Sequence, residues 1–244
     1  MRFSLAILAI CALAACSPPS TGQGAAAHPT HDQAGFPLPD RPVASIVSPI
    51  WSSGPDRDAA DESGQLVRGL GIRSGMVVAD IGAGSGYHTL RLSPVVGPRG
   101  VVYAEDVMES YLSGLRREAA GRGLRNVRIV IGTADDPKLP HGVDRAVLVH
   151  MYHEIQNPYA LLWRLAGDMK PGGRVGVIDL DRPTERHGTP PALLKCEFEA
   201  VGYRQISQAE LDGGVGYLAI FEAPAPKARP RPSAIKPCDA PDQD

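Results

Sequence analysis

The stretch VVADIGAGSGYHT, residues 77–89, decides the fold of this chain. Its apolar start predicts a strand over residues 76–81, and a helix is expected to begin at Tyr87. Between them lies a turn in which every second residue is glycine: Gly82, Gly84 and Gly86. Such a turn indicates a backbone that bends sharply and lies close to a ligand, where a Cβ atom would clash. Asp80 stands at the end of the strand, which is the edge where open α/β sheets bind ligands.

A second predicted strand, residues 100–104, ends in Glu105 and Asp106. A carboxylate at this position suits a ribose diol, because it can accept hydrogen bonds from two hydroxyl groups. The glycine spacing D-x-G-x-G-x-G differs from the dinucleotide fingerprint, and no Lys-Ser or Lys-Thr pair follows it. A P-loop is therefore excluded, and a nicotinamide-dependent oxidoreductase is disfavoured.

Strands and helices alternate along the rest of the chain, which predicts a mostly parallel sheet. The further predicted strands are residues 127–131, 145–150, 174–180, 203–207 and 217–222, the last two forming a hairpin. The predicted helices are residues 58–70, 87–96, 108–122, 159–169 and 191–201.

Five stretches together resemble the class I S-adenosylmethionine (SAM)-dependent methyltransferases. They are DIGAGSG (80–86), VVYAED (101–106), GTADDPKLP (132–140), VLVHMYHEI (147–155) and MKPGGRVGVIDL (169–180). They are similar to a little-characterised bacterial branch, exported as a lipoprotein, that has a YHE element after the fourth strand. The resemblance implies an α/β, Rossmann-like fold with a mostly parallel seven-stranded sheet, helices on both faces and an antiparallel strand inserted beside the fifth. It also implies SAM as cofactor and methyl transfer to an unidentified small-molecule acceptor.

The resemblance assigns cofactor-binding roles to residues of the first three strand ends. Asp80 would serve the methionine ammonium group, and Gly82, Gly84 and Gly86 would allow close backbone approach. Asp106, which lies 24 positions after Gly82, would accept from the ribose hydroxyls, with Glu105 as its competitor.

Asp135, after the third strand, would by the same resemblance accept from the adenine amino group. The adjacent Asp136 could take that role instead, and an ordinary turn before Pro137 is the alternative to both.

His153 and Tyr152 are the candidate catalytic residues, since they follow the fourth strand at the mouth of the expected cleft. Histidine is suited to deprotonating an acceptor at neutral pH. The same region holds His150 and Glu154, and Tyr87 and His88 flank the glycine turn; local packing is the alternative role for His150 and His153. Arg57, Asp58 and Asp61 resemble charged positions that line the cofactor cleft, with a solvated helix face as the alternative.

Composition fits one globular domain with tails: the chain has 244 residues, of which 43% are hydrophobic and 21% charged. Its formal net charge of −2 gives no indication of a nucleic-acid partner. The cysteine and histidine spacings match no common metal motif, so we predict no metal site.

The N-terminal region resembles the signal of a bacterial lipoprotein. Arg2 precedes an apolar run, residues 5–15, that is too short to span a bilayer and ends in the lipobox-like sequence LAAC, residues 13–16. The resemblance implies lipidation of Cys16 and anchoring at the bacterial membrane, on the periplasmic side of the outer membrane. An ordinary signal-peptidase site is the alternative.

The expected organisation is therefore a signal peptide and lipobox (1–16), a flexible tether (17–40), the methyltransferase domain (41–223) and a disordered proline-rich tail (224–244). Cys196 and Cys238 could pair in an oxidising compartment or remain as two thiols.

Export raises a second functional hypothesis, because SAM is made in the cytoplasm. The chain could be a non-catalytic exported lipoprotein that binds SAM or another ligand.

Overall fold

The computed structural model describes residues 30–46 and 54–239. Its sheet has seven strands in the order β3-β2-β1-β4-β5-β7-β6. The strands are β1 Val77–Ile81, β2 Val101–Asp106, β3 Val127–Ile131, β4 Val143–Val149, β5 Met169–Asp179, β6 Arg204–Glu210 and β7 Tyr217–Glu222. The helices are α1 Gly54–Ala59, α2 Glu62–Leu70, α3 Tyr87–Val96, α4 Glu109–Gly121, α5 Pro158–Asp168 and α6 Pro191–Ala200.

The first five strands are parallel neighbours, and β7 runs antiparallel to both β5 and β6. The predicted α/β, Rossmann-like fold with an antiparallel strand beside the fifth is confirmed. The carboxyl ends of the parallel strands meet at one edge of the sheet, which is where a ligand cleft is expected in this architecture.

Helices cover both faces of the sheet because successive strand residues point to opposite sides. On one face, Val78 packs in a cluster that includes Leu66 of α2 and Leu92 of α3. On the other, Ala79 packs in a cluster that includes Leu162 of α5 and residues of α6. The central strands are therefore apolar on both faces.

The first predicted helix, residues 58–70, is two helices in the structure. Asp61, between α1 and α2, has a φ of 49°, a left-handed conformation that ends one helix before the next begins. This break places Glu62 at the start of α2. The fifth strand also begins earlier than predicted, at Met169 rather than residue 174.

The prediction of a disordered tail over residues 224–244 is wrong for residues 224–239. Cys238 forms a disulfide with Cys196 of α6, with 6.1 Å between their Cα atoms. The Arg229 guanidinium lies 3.9 Å from the centre of the Trp163 ring, and the Trp163 indole donates to the Pro230 carbonyl at 2.8 Å. Composition could not reveal these contacts, because the partners are distant in sequence and only the fold brings them together.

The tether predicted over residues 17–40 packs against the domain from residue 30 onward. Phe36 is buried, and its ring centre lies 5.7 Å from that of Trp163. The Asn157 amide donates to the Asp32 carboxylate at 2.7 Å. The predicted signal peptide, with Cys16, lies outside the described residues.

No helix within residues 30–46 and 54–239 combines the length and apolar character that a bilayer span requires.

Candidate functional site

A cleft opens at the carboxyl ends of β1, β2 and β4. Its lining is drawn from the glycine turn, the strand ends, α1, the turn after β4 and the loop after β3. The lining includes Arg57, Asp80, Gly82, Gly84, Tyr87, His88, Glu105, Asp106, Thr133, Ala134, His150 and Glu154.

The predicted glycine turn forms one side of this cleft. Gly82, Gly84 and Gly86 all have positive φ, at 68°, 54° and 91°, so a residue with a side chain would be strained there. A Cβ atom on Gly82 would lie 2.8 Å from the Met151 side chain, and one on Gly86 would lie 2.2 Å from that of Leu115. The turn therefore requires glycine both for its conformation and for space.

Three buried carboxylates share the cleft, and we call Asp80, Glu105 and Asp106 the carboxylate wall. Asp80 accepts from the Thr89 hydroxyl at 2.6 Å. Burial raises the pKa of Asp80 above its ordinary value, and the nearby His88 and the Thr89 hydroxyl oppose that rise.

Asp106 supports the glycine turn directly. One of its oxygens accepts from the Gly84 backbone N–H at 2.9 Å, and the other accepts from the Met108 N–H at 2.8 Å. Because each carboxylate oxygen has a second lone pair, Asp106 can hold the turn and still accept from a ligand.

Glu105, the predicted competitor of Asp106, also lines the cleft. Burial raises its pKa to about 8, and the negative charges of Asp106 and Asp80 add to the rise, while the Gly82 backbone N–H opposes it. Three carboxyl groups crowded at one side of the cleft thus favour a ligand that is cationic or rich in hydroxyl donors.

The opposite side of the cleft contains a hydrogen-bonded group that we call the Glu62 cluster: Glu62, Arg57, His88 and His150. The Glu62 carboxylate is fully buried and bonds the Arg57 guanidinium at 3.0 Å, His88 Nε2 at 2.9 Å and His150 Nε2 at 3.1 Å. Arg57, His88 and His150 line the cleft, so this group presents two imidazoles and a guanidinium to a ligand.

The charges of the cluster follow from these contacts. Burial alone would raise the pKa of Glu62, but hydrogen bonds from His150, His88 and Arg57 outweigh it and hold that pKa well below its ordinary value. Burial lowers the pKa of His150, more than the contact with Glu62 raises it. His150 is therefore neutral near pH 7, the form that can accept a proton.

Sequence reasoning singled out Arg57, His88 and His150 as residues that could line the cleft, but it missed Glu62. Glu62 lies 26 positions before His88 and 88 before His150, so no local motif contains it. No signal near Glu62 in sequence distinguishes it from the other acidic residues that precede β1.

The structure places Asp135 outside the cleft lining, against the predicted contact with adenine. Its carboxylate pairs with the Arg164 guanidinium and accepts from the Thr133 hydroxyl at 2.8 Å. Asp136 is also outside the lining, and its carboxylate accepts from the Lys138 backbone N–H at 2.8 Å. Thr133 and Ala134 are the residues of this loop that line the cleft.

The two predicted catalytic residues also lie outside the cleft lining. Tyr152 is fully buried in the core, and its hydroxyl donates to the Glu197 carboxylate at 2.7 Å. His153 is buried with Nδ1 3.0 Å from the Asp179 carboxylate. Both belong to the short 3₁₀ turn Tyr152–Glu154 after β4 and are buried there, whereas His150 and Glu154 line the cleft.

Asp58 and Asp61 pair with neighbours near the surface rather than line the cleft. Asp58 bonds Arg91 and the Tyr87 hydroxyl, and Asp61 pairs with Arg68 at 2.8 Å. For these two positions the solvated helix face was the better interpretation.

Residues 78–173 match a protein family described as a methyltransferase domain. The chain is 30% identical, over 135 residues, to the ubiquinone/menaquinone biosynthesis C-methyltransferase UbiE of Coxiella burnetii. That alignment covers 54% of this chain and 52% of UbiE, so the chain spans about half the length of the curated relatives it matches.

Among solved structures, the chain is similar to a SAM-dependent methyltransferase from Aquifex aeolicus, with a TM-score of 0.63 and 25% identity over 69% of this chain and 92% of that one. It also shares its fold with the [4+2]-cyclase SpnF, at a TM-score of 0.60 and 14% identity over 77% of this chain and 86% of SpnF. The fold and the cleft define the class I methyltransferase architecture. The particular match, to the family described as a methyltransferase domain, extends over residues 78–173.

Proposed function

We propose that this chain is a SAM-dependent methyltransferase acting on a small-molecule acceptor. The observation that carries the proposal is one cleft with a tight glycine turn and three buried carboxylates on one side and two buried imidazoles on the other. The matched methyltransferase domain and the Aquifex aeolicus structure support it.

The residues of the carboxylate wall fit the chemistry of SAM. Asp80 lines the cleft and would accept from the methionine ammonium group, and the glycine turn would allow the cofactor to approach the backbone closely. Glu105 and Asp106 end β2 side by side and are the two acceptors available for the ribose hydroxyls. Burial is the main cause of the raised pKa of Glu105, and a cation held here would offset the repulsion from Asp106 and Asp80 that adds to it.

When bound, SAM supplies a methyl group already activated on a sulfonium, so the protein mainly positions the partners and excludes water. The Glu62 cluster is the part of this chain that can receive a proton from the acceptor. His88 is one candidate acceptor, because it lines the cleft and its buried Nδ1 has no hydrogen-bond partner among residues 30–46 and 54–239. Glu62 would hold the ring and stabilise the imidazolium that forms.

Incubation with SAM carrying a labelled methyl group, and a panel of phenol, quinone-precursor, thiol and amine acceptors, tests this proposal. Quinone precursors enter the panel because of the UbiE relative. We expect label in at least one acceptor, with a rate that falls about 10²-fold or more in His88→Asn. Arg116→Gln, at an exposed position of α4, is the control and should retain the rate.

The second candidate is the exported binding protein that does not transfer a methyl group. The SpnF similarity supports keeping it, since a shared fold does not fix the reaction. SAM binding by wild type with no label in any acceptor, including a total metabolite extract, would favour this candidate.

The proposal places the domain outside the cytoplasm, anchored through Cys16. The Cys196–Cys238 disulfide supports it, because disulfides persist in oxidising compartments and are rare in the cytosol. We expect a Cys16→Ser variant to leave the membrane fraction, with Cys11→Ser as the control that stays. Retention of Cys16→Ser in membranes would contradict the anchor.

A further inference from the structure

Two histidines and a glutamate lie together at the edge of the cleft. His153, Glu154 and His187, here called the His–Glu–His cluster, each offer one ligand atom, and these atoms lie within 4.8 Å of one another. His153 and Glu154 belong to the turn after β4, and His187 ends the 3₁₀ turn Thr184–Arg186 after β5. Because β4 and β5 are parallel neighbours, their following turns meet, although 34 residues separate the two histidines.

The buried histidine of the cluster is already oriented by a carboxylate. His153 Nδ1 lies 3.0 Å from Asp179, which leaves Nε2 as the nitrogen available to a ligand. Asp179 is itself fully buried and fixed, since it accepts from the Thr189 hydroxyl at 2.7 Å and the Leu180 N–H at 2.9 Å. A carboxylate behind a histidine is the arrangement that holds metal-binding imidazoles in place in proteins.

The Glu154 carboxylate is also available as a metal ligand. It is partly buried, and it makes no side-chain hydrogen bond or ion pair with any residue in the described ranges. Its side chain lines the cleft, so it connects the cluster to the space where the acceptor would approach.

We propose that His153, Glu154 and His187 bind a divalent transition-metal ion, with zinc as the best fit to two imidazoles and one carboxylate. Zinc sites with two histidines and a glutamate leave a fourth position for water or substrate. Ligand atoms around a tetrahedral zinc ion are about 3.4 Å apart, since each metal–ligand bond is about 2.0–2.2 Å. Binding therefore requires ligand atoms that lie within 4.8 Å of one another to approach by about 1.4 Å at most, and the partly exposed His187 has room to move.

The open position of the ion would face the cleft on the Glu154 side. An oxygen or nitrogen atom of the acceptor could occupy it and so be held in a fixed orientation. This role rests on the proposed methyl transfer, whereas binding of the metal does not.

The test is calorimetric titration of the full chain, stripped of metal with a chelator, with zinc chloride. We expect one zinc ion per chain, and a visible absorption band from tetrahedral cobalt when Co²⁺ replaces it. His187→Ala and Glu154→Gln should each weaken zinc binding at least tenfold, and the second variant is nearly isosteric, so it is expected to fold.

Two control variants distinguish this site from other histidines. His141→Ala removes an exposed histidine whose partner is Asp168, and a His28→Ala, His31→Ala double variant removes the pair near the N-terminus. Both should bind zinc as wild type does.

Absence of zinc binding by folded wild type would overturn the proposal. So would unchanged binding in Glu154→Gln together with loss in the His28, His31 variant. SAM titration of the same samples separates the two proposals: zinc binding without SAM binding would contradict the proposed function alone, and SAM binding without zinc binding would contradict only the metal site.

Discussion

The two sides of the cleft differ in how far apart in the sequence their residues lie. The carboxylate wall comes from two adjacent strand ends, and its residues stand within 27 positions of one another. The Glu62 cluster joins α1, α2, α3 and the end of β4 through a single buried carboxylate. One side is therefore a local motif, and the other exists only after the sheet and its first helices have assembled. The difference predicts that the first side governs ligand affinity and the second governs stability as well as chemistry.

The largest effect is expected from removing the centre of the Glu62 cluster. Glu62→Ala leaves the buried Arg57 without its carboxylate partner, and we expect the free energy of unfolding to fall by about 3–5 kcal/mol. Denaturant unfolding followed by circular dichroism measures it. Arg68→Ala, later in the same helix, is the control, because its pair with Asp61 is exposed and its loss should change stability by less than about 0.5 kcal/mol.

Similar losses in both variants would mean that Glu62 does not organise its side of the cleft. The comparison between the two sides would then fail.

Glu105 of the carboxylate wall should make the free energy of unfolding depend on pH. The pKa of Glu105 is raised from an ordinary 4.5 to about 8, so the folded protein holds a proton that the unfolded chain releases between these values. Stability should therefore fall as pH rises through this window, by at most about 1.4 kcal/mol for each pH unit. In Glu105→Gln the fall should be smaller, and the ligand-free domain should melt at a higher temperature than wild type at pH 8.

Thermal melts at pH 5, 6.5 and 8 measure this effect. Glu118→Gln, an exposed helix position paired with Arg122, should keep the wild-type pH profile. A profile that is identical in Glu105→Gln and wild type would show that Glu105 ionises normally.

Asp106 and Asp135 give the sharpest comparison for affinity, since the sequence assigned both to the cofactor and the structure places only Asp106 in the cleft. We expect Asp106→Ala to weaken SAM binding about tenfold or more, because it loses a ligand acceptor and the support of Gly84. Asp135→Ala should bind SAM within about twofold of wild type. Calorimetric titration with SAM at one pH compares the two variants. An equal loss of SAM affinity in both would mean that Asp135 belongs to the binding site.

The smallest effect concerns Tyr152, which was predicted to be catalytic. Tyr152→Phe removes one buried hydrogen bond to Glu197 and should cost about 1 kcal/mol of stability. SAM affinity and any transfer rate should remain at the wild-type level at a temperature where both proteins are folded. A large loss of transfer with unchanged stability would contradict its assignment to the core.

The sequence was sufficient for what depends on local pattern. Glycine at alternate positions after an apolar strand defined the turn, and the strand ends gave Asp80 and Asp106 their place in the cleft. It was insufficient where a partner distant in sequence decides the outcome. Asp135 pairs with Arg164 of α5, and the Tyr152 hydroxyl donates to Glu197 of α6 in the core. Cys196 forms a disulfide with Cys238, in the segment that composition predicted to be disordered.

Glu62 is a residue whose role the sequence pattern does not reveal. Nothing near it in sequence marks an acid at the start of α2 as functional, and its importance comes from three partners that the fold supplies. Buried charges of this kind are found from contacts rather than from motifs.

The most direct test of the account is calorimetric titration of the folded chain with SAM and with S-adenosylhomocysteine. We predict one binding site per chain, with a dissociation constant in the micromolar range or below for both ligands. The absence of heat and of any thermal stabilisation by either ligand, in protein that melts cooperatively, would contradict the assignment of this cleft to SAM.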